Sequence, residues 1–265
     1  MLEIKRPTLI LNKEKSLKNI SKITSKLNKT SISFRPHFKT HQSLEVGRWF
    51  KEFGIKKITV SSVTMAKYFS KEWDDITIAF PINLLEINEI NKLSSTIRIN
   101  LLVDSIDSIN FLKERLANKV NIYLKVDVGY NRAGIKYNNY ELIDKVIKIS
   151  SQSDKLNFKG FISHFGDSYN SDSKFKIEEV FNNSVNKLEK LYSDNENFEF
   201  SIGDTPSSSV VNNYPKFISE LRPGNFVFYD LSQYKIGSCK LKDISLRMVC
   251  PIVSIYPDRN QLLIY

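Results

Sequence analysis

A chain of 265 residues with 41% hydrophobic and 12% aromatic content is long enough to bury a core and too apolar for a disordered polypeptide. Its net charge of +10 comes from scattered lysines without a block of five or six like charges, which argues against a nucleic-acid binder. No apolar run reaches the ~18 residues of a membrane span, and no signal-peptide order opens the chain; Cys239 and Cys250, with no His nearby, read as reduced thiols of a cytoplasmic protein.

The first β-prone run in chain order is "SISFRPHFK", which leads into "RPHFKTHQ". Side chains of a strand alternate between faces, so Arg35, His37, Lys39 and His41 are expected on one face, with Phe34, Pro36, Phe38 and Thr40 on the other. Four basic or imidazole groups on a buried face require an anion or a paired carboxylate. In an extended strand His37 and His41 would stand roughly 13 Å apart, too far to share a metal.

Further strand-like runs are "KKITVSS", "DITIAFP", "RINLLVD", "NIYLKVDVG", "LNFKGFISH", "FEFSIGD" and "ISELRPGNFV". Segments of helical period lie between, among them "HQSLEVGRWFKEFG", "NNYELIDKVIKISSQ" and "SKFKIEEVFNNSVNKLEKLY". Eight strand-plus-connector units imply an α/β protein whose parallel sheet closes as a (β/α)8 barrel. The tail changes character, with β-like runs "ISLRMVCPIVSIY" and "QLLIY". The expected organisation is therefore a barrel over residues 1–231 and the first strands of an incomplete β domain over 232–265. An unfinished sheet leaves an unpaired edge.

Chemistry in such barrels gathers at the C-terminal strand ends. Lys39, Asp127, Arg132, His164, Asp204 and Arg222 all fall there. A lysine is usually a solvated stem, but a desolvated one has a lowered pKa and attacks carbonyls. The glycine turns of "SIGDTPS" and "RPGN" offer backbone N–H groups of the kind that hold phosphate.

Taken together and in order, "RPHFKTH", "VDVGYNRAG", "GFISHFGDSY", "SIGDTPS" and "ELRPGNFVFYD" resemble the pyridoxal-phosphate enzymes of the alanine racemase fold, fold type III. The likeness is nearest to the D-threonine aldolase and D-serine dehydratase group and covers nearly the whole chain. It implies that Lys39 forms the Schiff base with the cofactor, that Arg132 stands near the phenolic oxygen, and that His164 packs against the pyridine ring. It places Gly203, Asp204, Thr205, Gly224 and Asn225 in the phosphate loops, and Arg222 opposite the pyridine nitrogen. His37 shares the cofactor face, and Tyr229 is a candidate to reach cofactor or substrate.

The resemblance implies a lyase acting on β-hydroxy D-amino acids, by retro-aldol cleavage or by elimination. Members of that group carry a second domain that binds a divalent metal and meets the partner subunit, so a homodimer is one expected assembly. Here all three histidines lie in barrel motifs and the tail holds no His-x-Cys or His-x-Asp, so no metal ligand is expected in this chain. A C-terminally shortened enzyme with weakened turnover is the expectation. The alternatives are a non-catalytic cofactor-binding barrel and a racemase-like protein.

Overall fold

The computed structural model describes residues 3–265. Every one of the eight apolar runs becomes a strand. After β1 (Thr8–Leu11) come β2 (Ser33–Phe34), β3 (Ile58–Val60), β4 (Asp75–Pro81), β5 (Arg98–Val103) and β6 (Val120–Asp127). A short β7 (Ile135–Lys136) pairs only with β6, and β8 (Leu156–Ser163), β9 (Glu199–Ile202) and β10 (Ile218–Leu221) follow. The parallel ladder runs β2-β10-β9-β8-β6-β5-β4-β3. Its two ends meet at a parallel bridge between His37 and Thr59, where Phe38 N–H donates to Thr59 O at 2.8 Å and Thr59 N–H to Pro36 O at 2.9 Å. The ring is thus an eight-stranded parallel barrel.

Helices wrap the ring: α1 (Lys13–Leu27), α2 (Leu44–Lys51), α3 (Val63–Phe69), α4 (Ile87–Ser94), α5 (Ile106–Arg115), α6 (Tyr140–Ser151), α7 (Lys174–Tyr192), α8 (Thr205–Val210) and α9 (Leu231–Lys235). Most start where a short polar side chain accepts an otherwise orphaned amide, as Ser43, Ser62, Ser105, Asn139, Ser173 and Asp204 do. Between β-strands and helices lies the apolar core, built from outward positions such as Ile58, Val60, Ile76, Ile78, Leu101, Leu124, Phe161 and Phe200.

The inward positions of the same strands are mostly polar. Arg35 donates to Glu220 at 2.8 Å and to Asp75 at 2.6 Å. Lys57 approaches Glu220 at 3.3 Å. A ladder of amides continues from Asp75 through Asn100, Asn121 and Asn157, at 2.9, 2.8 and 2.6 Å. Among the described residues, Leu102, Tyr123 and Ile162 form a small apolar cluster inside the ring. Barrels of this class usually fill their interior with branched aliphatic layers. This one fills its floor with hydrogen-bonded charge. Burial works against both carboxylates, but the Arg35 guanidinium and the surrounding donors hold Asp75 and Glu220 below their ordinary pKa, and both stay ionised.

The "RPHFKTHQ" stretch obeys strand alternation only as far as its ladder reaches. Arg35 and His37 donate from their backbones to Leu221 and Pro223, and both side chains point inward. Residues 38–41 then form a turn, closed by Gln42 at φ 46°. That turn rotates His41 out of the expected face. Its ring lies 4.4 Å from Phe38 and 5.8 Å from Phe50, in the layer between barrel and helices. Thr40, expected on the packing face, faces the barrel mouth instead.

In the tail, the expected long strand is broken at Cys250 and Pro251. It becomes β11 (Leu246–Val249) and β12 (Ile252–Tyr256), the latter paired antiparallel with β13 (Gln261–Ile264). Strand β11 pairs antiparallel with β1, which the sequence reading did not mark as a strand. Both faces of the β12–β13 hairpin carry exposed apolar groups, with Ile252 at 56%, Ile255 at 65% and Leu262 at 56% of full exposure. Cys239 and Cys250 are unpaired thiols.

The floor cluster sets a test of the fold. Removing one partner of a buried ion pair strands the others, so Arg35→Ala should lower unfolding free energy in urea by about 3–5 kcal/mol. A loss under about 1 kcal/mol would show that the interior cluster does not hold the barrel.

Candidate active site

The C-terminal ends of the strands enclose one cavity. Nine of the eleven residues expected at the site line it: His37, Lys39, Arg132, His164, Gly203, Asp204, Arg222, Gly224 and Asn225. Thr205 and Tyr229 stand behind the wall. Thr205 accepts the Asn225 N–H on its hydroxyl at 3.0 Å, which ties together the two glycine loops after β9 and β10. Tyr229, held at φ 50°, reaches Ser209 on α8 at 3.0 Å. The glycines of these loops have a steric reason. A Cβ on Gly203 would lie 2.9 Å from Arg222 O, and one on Gly224 2.9 Å from His37 O, so the ends of β9, β10 and β2 could not close up with any other residue.

The charge of the cavity is one-sided. Lys39 sits on the turn after β2, Lys125 on β6, Arg132 on the loop after β6, and Arg222 just after β10. Among the described ion pairs none involves these four cations. The two acids nearby are already engaged. Asp127 binds the amides of Gly129 at 3.0 Å and Asn131 at 3.1 Å, which shapes the loop carrying Arg132 instead of pairing with it. Asp204 caps α8 through Ser207 N–H at 2.7 Å and accepts the Ser168 hydroxyl at 2.7 Å. Its burial pushes it up to about 6.

Cations crowded into a partly dry site lower one another. Burial, then Arg132 and Arg222, lower the Lys39 amine from its ordinary value. Lys125 is pushed down to about 7, first by burial and then by Arg222. Both imidazoles are neutral. His37 is lowered well below its usual value by burial and by the charges of Lys39 and Arg222, while its Nδ1 accepts the Lys39 N–H at 3.3 Å. His164 is lowered to about 3 by burial. Its Nδ1 donates to Gly203 O, so Nε2 is the nitrogen that carries a lone pair. Tyr130 meets the His164 ring edge-on at 5.9 Å and lies so close over Gly166 that a Cβ there would be 2.2 Å from its ring.

Lys125, Tyr130, Tyr169, Phe80 and Thr40 also line the cavity and were not among the expected site residues. The signal for Lys125 was available. It shares strand parity with Tyr123 and Asp127, so it must point inward. For Tyr169, whose hydroxyl accepts the Thr205 N–H at 3.0 Å, no local pattern marks the position.

An unpaired cationic cavity should take up an anion. Lys125 is largely neutral above pH 7 in the free protein, and an anion favours its charged form, so binding there takes up a proton. Sulfate does not titrate in this range. Its affinity should weaken with rising pH between 7 and 9, approaching tenfold per unit, with matching proton uptake in buffers of different ionisation enthalpy. A Lys125→Met chain should lose most of that uptake. Sulfate binding without proton uptake would refute the assignment.

Residues 11–232 match the alanine racemase N-terminal domain family. Among curated relatives, the D-serine dehydratase of Dictyostelium discoideum is 32% identical over 93% of this chain and 68% of its own length. Solved structures share the fold: D-threo-3-hydroxyaspartate dehydratase from Delftia sp. HT23 superposes with a TM-score of 0.86 at 20% identity, covering 96% of this chain and 69% of that one. D-threonine aldolase from Filomicrobium marinum does so with 0.82 at 18% identity, covering 94% and 69%. Sequence, barrel and motif order agree: this chain belongs to the alanine racemase N-terminal domain family.

Proposed function

We propose that this chain is a pyridoxal-phosphate-dependent lyase acting on β-hydroxy D-amino acids. One observation carries the reading: a strand-end lysine with a lowered pKa opens into a cavity whose other cations have no carboxylate partner. The cofactor's phosphate and phenolic oxygen are the anions such a donor set suits, and its aldehyde is the group an activated amine holds. The relatives' names add the substrate class, since serine, threonine and 3-hydroxyaspartate all bear a hydroxyl on Cβ.

Lys39 would hold the cofactor covalently through its amine and, once displaced by substrate, take the proton from Cα. Its lowered pKa gives it a larger unprotonated fraction at neutral pH. Arg132 and Lys125 would bind the phenolic-oxygen side, and His164, neutral and packed by Tyr130, would support the ring face. The loops at Gly203–Thr205 and Gly224–Asn225 would receive the phosphate, with Asp204 and Tyr229 fixing α8 behind them. His37 would hold the Lys39 turn through its backbone bond. Bound there, pyridoxal phosphate supplies an electron sink for the negative charge left at Cα. Among the described residues no three His, Cys, Asp or Glu side chains come together as a metal site. Residues 1–231 would form the cofactor-binding unit, 232–265 a β-rich unit, and a homodimer is the proposed assembly.

The purified chain with pyridoxal phosphate should show a visible absorption band, and borohydride reduction should leave the label on the Lys39 peptide. Lys39→Ala should lose the band, and release of pyruvate from D-serine should fall at least about a thousand-fold. A folded wild-type chain without the band, or a label on another lysine, would overturn the proposal. A labelled Lys39 with no product from any β-hydroxy D-amino acid would reduce the chain to a cofactor-binding barrel.

A further inference from the structure

Arg222 is held from behind in an unusual way. Its Nε donates to the Ser201 hydroxyl at 2.7 Å, and its Nη2 donates to Ser163 O at 3.0 Å and to Ser201 O at 3.4 Å. Nη1 makes no hydrogen bond among the described residues, and the side chain lines the cavity. The Ser201 hydroxyl in turn donates to Glu220 Oε1 at 2.8 Å. Glu220 Oε2 accepts Arg35 Nε at 2.8 Å and lies 3.3 Å from Lys57 Nζ. Ser201, Glu220 and Arg222 are all at least nine-tenths buried.

The proton positions in this chain of contacts leave no choice. A guanidinium only donates and a carboxylate only accepts, so the single hydroxyl proton must point to Glu220 and a lone pair to Arg222. We infer that Ser201 and Glu220 form a positioning relay for Arg222, in which the hydroxyl fixes the guanidinium while keeping the carboxylate one hydrogen bond away. A direct Arg222–Glu220 pair would give the cation a partner and turn it from the cavity. With the hydroxyl between them, Arg35 and Lys57 balance Glu220, and the Arg222 charge stays free for a ligand. This inference rests on the proposed function to the extent that the ligand is pyridoxal phosphate, whose ring nitrogen Arg222 would face.

The test is a double-mutant cycle on cofactor affinity in the full chain, read from the absorption of bound pyridoxal phosphate. Ser201→Ala should weaken binding about tenfold, the loss expected for one hydrogen bond to a charged group. Ser201→Thr, which keeps the hydroxyl, should restore most of it. In an Arg222→Lys background, where Nε is gone, Ser201→Ala should change affinity by less than about twofold. A merely structural role would give the same loss in both backgrounds, and that result would overturn the relay. If Ser201→Ala fails to fold, by its thermal transition, Ser201→Cys gives the same cycle with a weaker acceptor. Absence of cofactor binding by the wild-type chain would overturn the functional reading and this inference with it. Equal effects in a chain that binds would overturn the relay alone.

Discussion

The ion cluster of Arg35, Glu220 and Asp75 is the constraint around which the barrel is arranged. A guanidinium this deep in a protein is tolerable only with carboxylates and further donors around it. Strands β2, β4 and β10 must therefore converge at this level, and that convergence fixes the register in which their C-terminal ends reach the cavity. The amide ladder from Asn100 to Asn157 extends the same requirement across β5, β6 and β8. Apolar packing outside the ring supplies most of the burial, while the polar column inside decides which residues stand at the top.

The cavity inherits its character from that column. On three strands the inward position one step higher is cationic or an imidazole: His37 above Arg35, Lys125 above Tyr123, Arg222 above Glu220. The floor is balanced in charge and the top is not. Burial first, and then the surplus of positive charge, lowers the lysines, and that surplus also favours a bound anion. One electrostatic feature thus serves both to activate an amine and to retain the group that amine would hold.

Much of this was legible in the residues, because a parallel barrel writes itself as repeated strand and helix periods, and all eight strands and the three quoted helices lie where those periods put them. Nine of the residues expected from strand ends, motif order and the family resemblance line the cavity. The misses have separate physical causes. His41 was misplaced because period two holds only while the ladder holds, and the turn at residues 38–41 ends it. Strand β1 was missed because its four residues, three half-buried and Leu9 exposed, acquire their partner, β11, from the far end of the chain. Tyr169 joins the site through a turn that carries no period at all. The relay through Ser201 was invisible for a different reason: a serine between two apolar residues of a strand looks like any other until its hydroxyl is seen between two opposite charges.

The closure of the ring has a mechanical meaning. Seven of its eight joints are strand ladders, while the eighth, between β2 and β3, is the single bridge at His37 and Thr59. Lys39 stands two residues beyond that bridge. A ligand bonded to Lys39 and also gripped by β6, β9 and β10 would act as a clasp, because opening the seam would then require pulling the ligand apart from one side or the other. Loading the cavity and locking the hoop would be one equilibrium, with the barrel opening first at the seam beside Lys39.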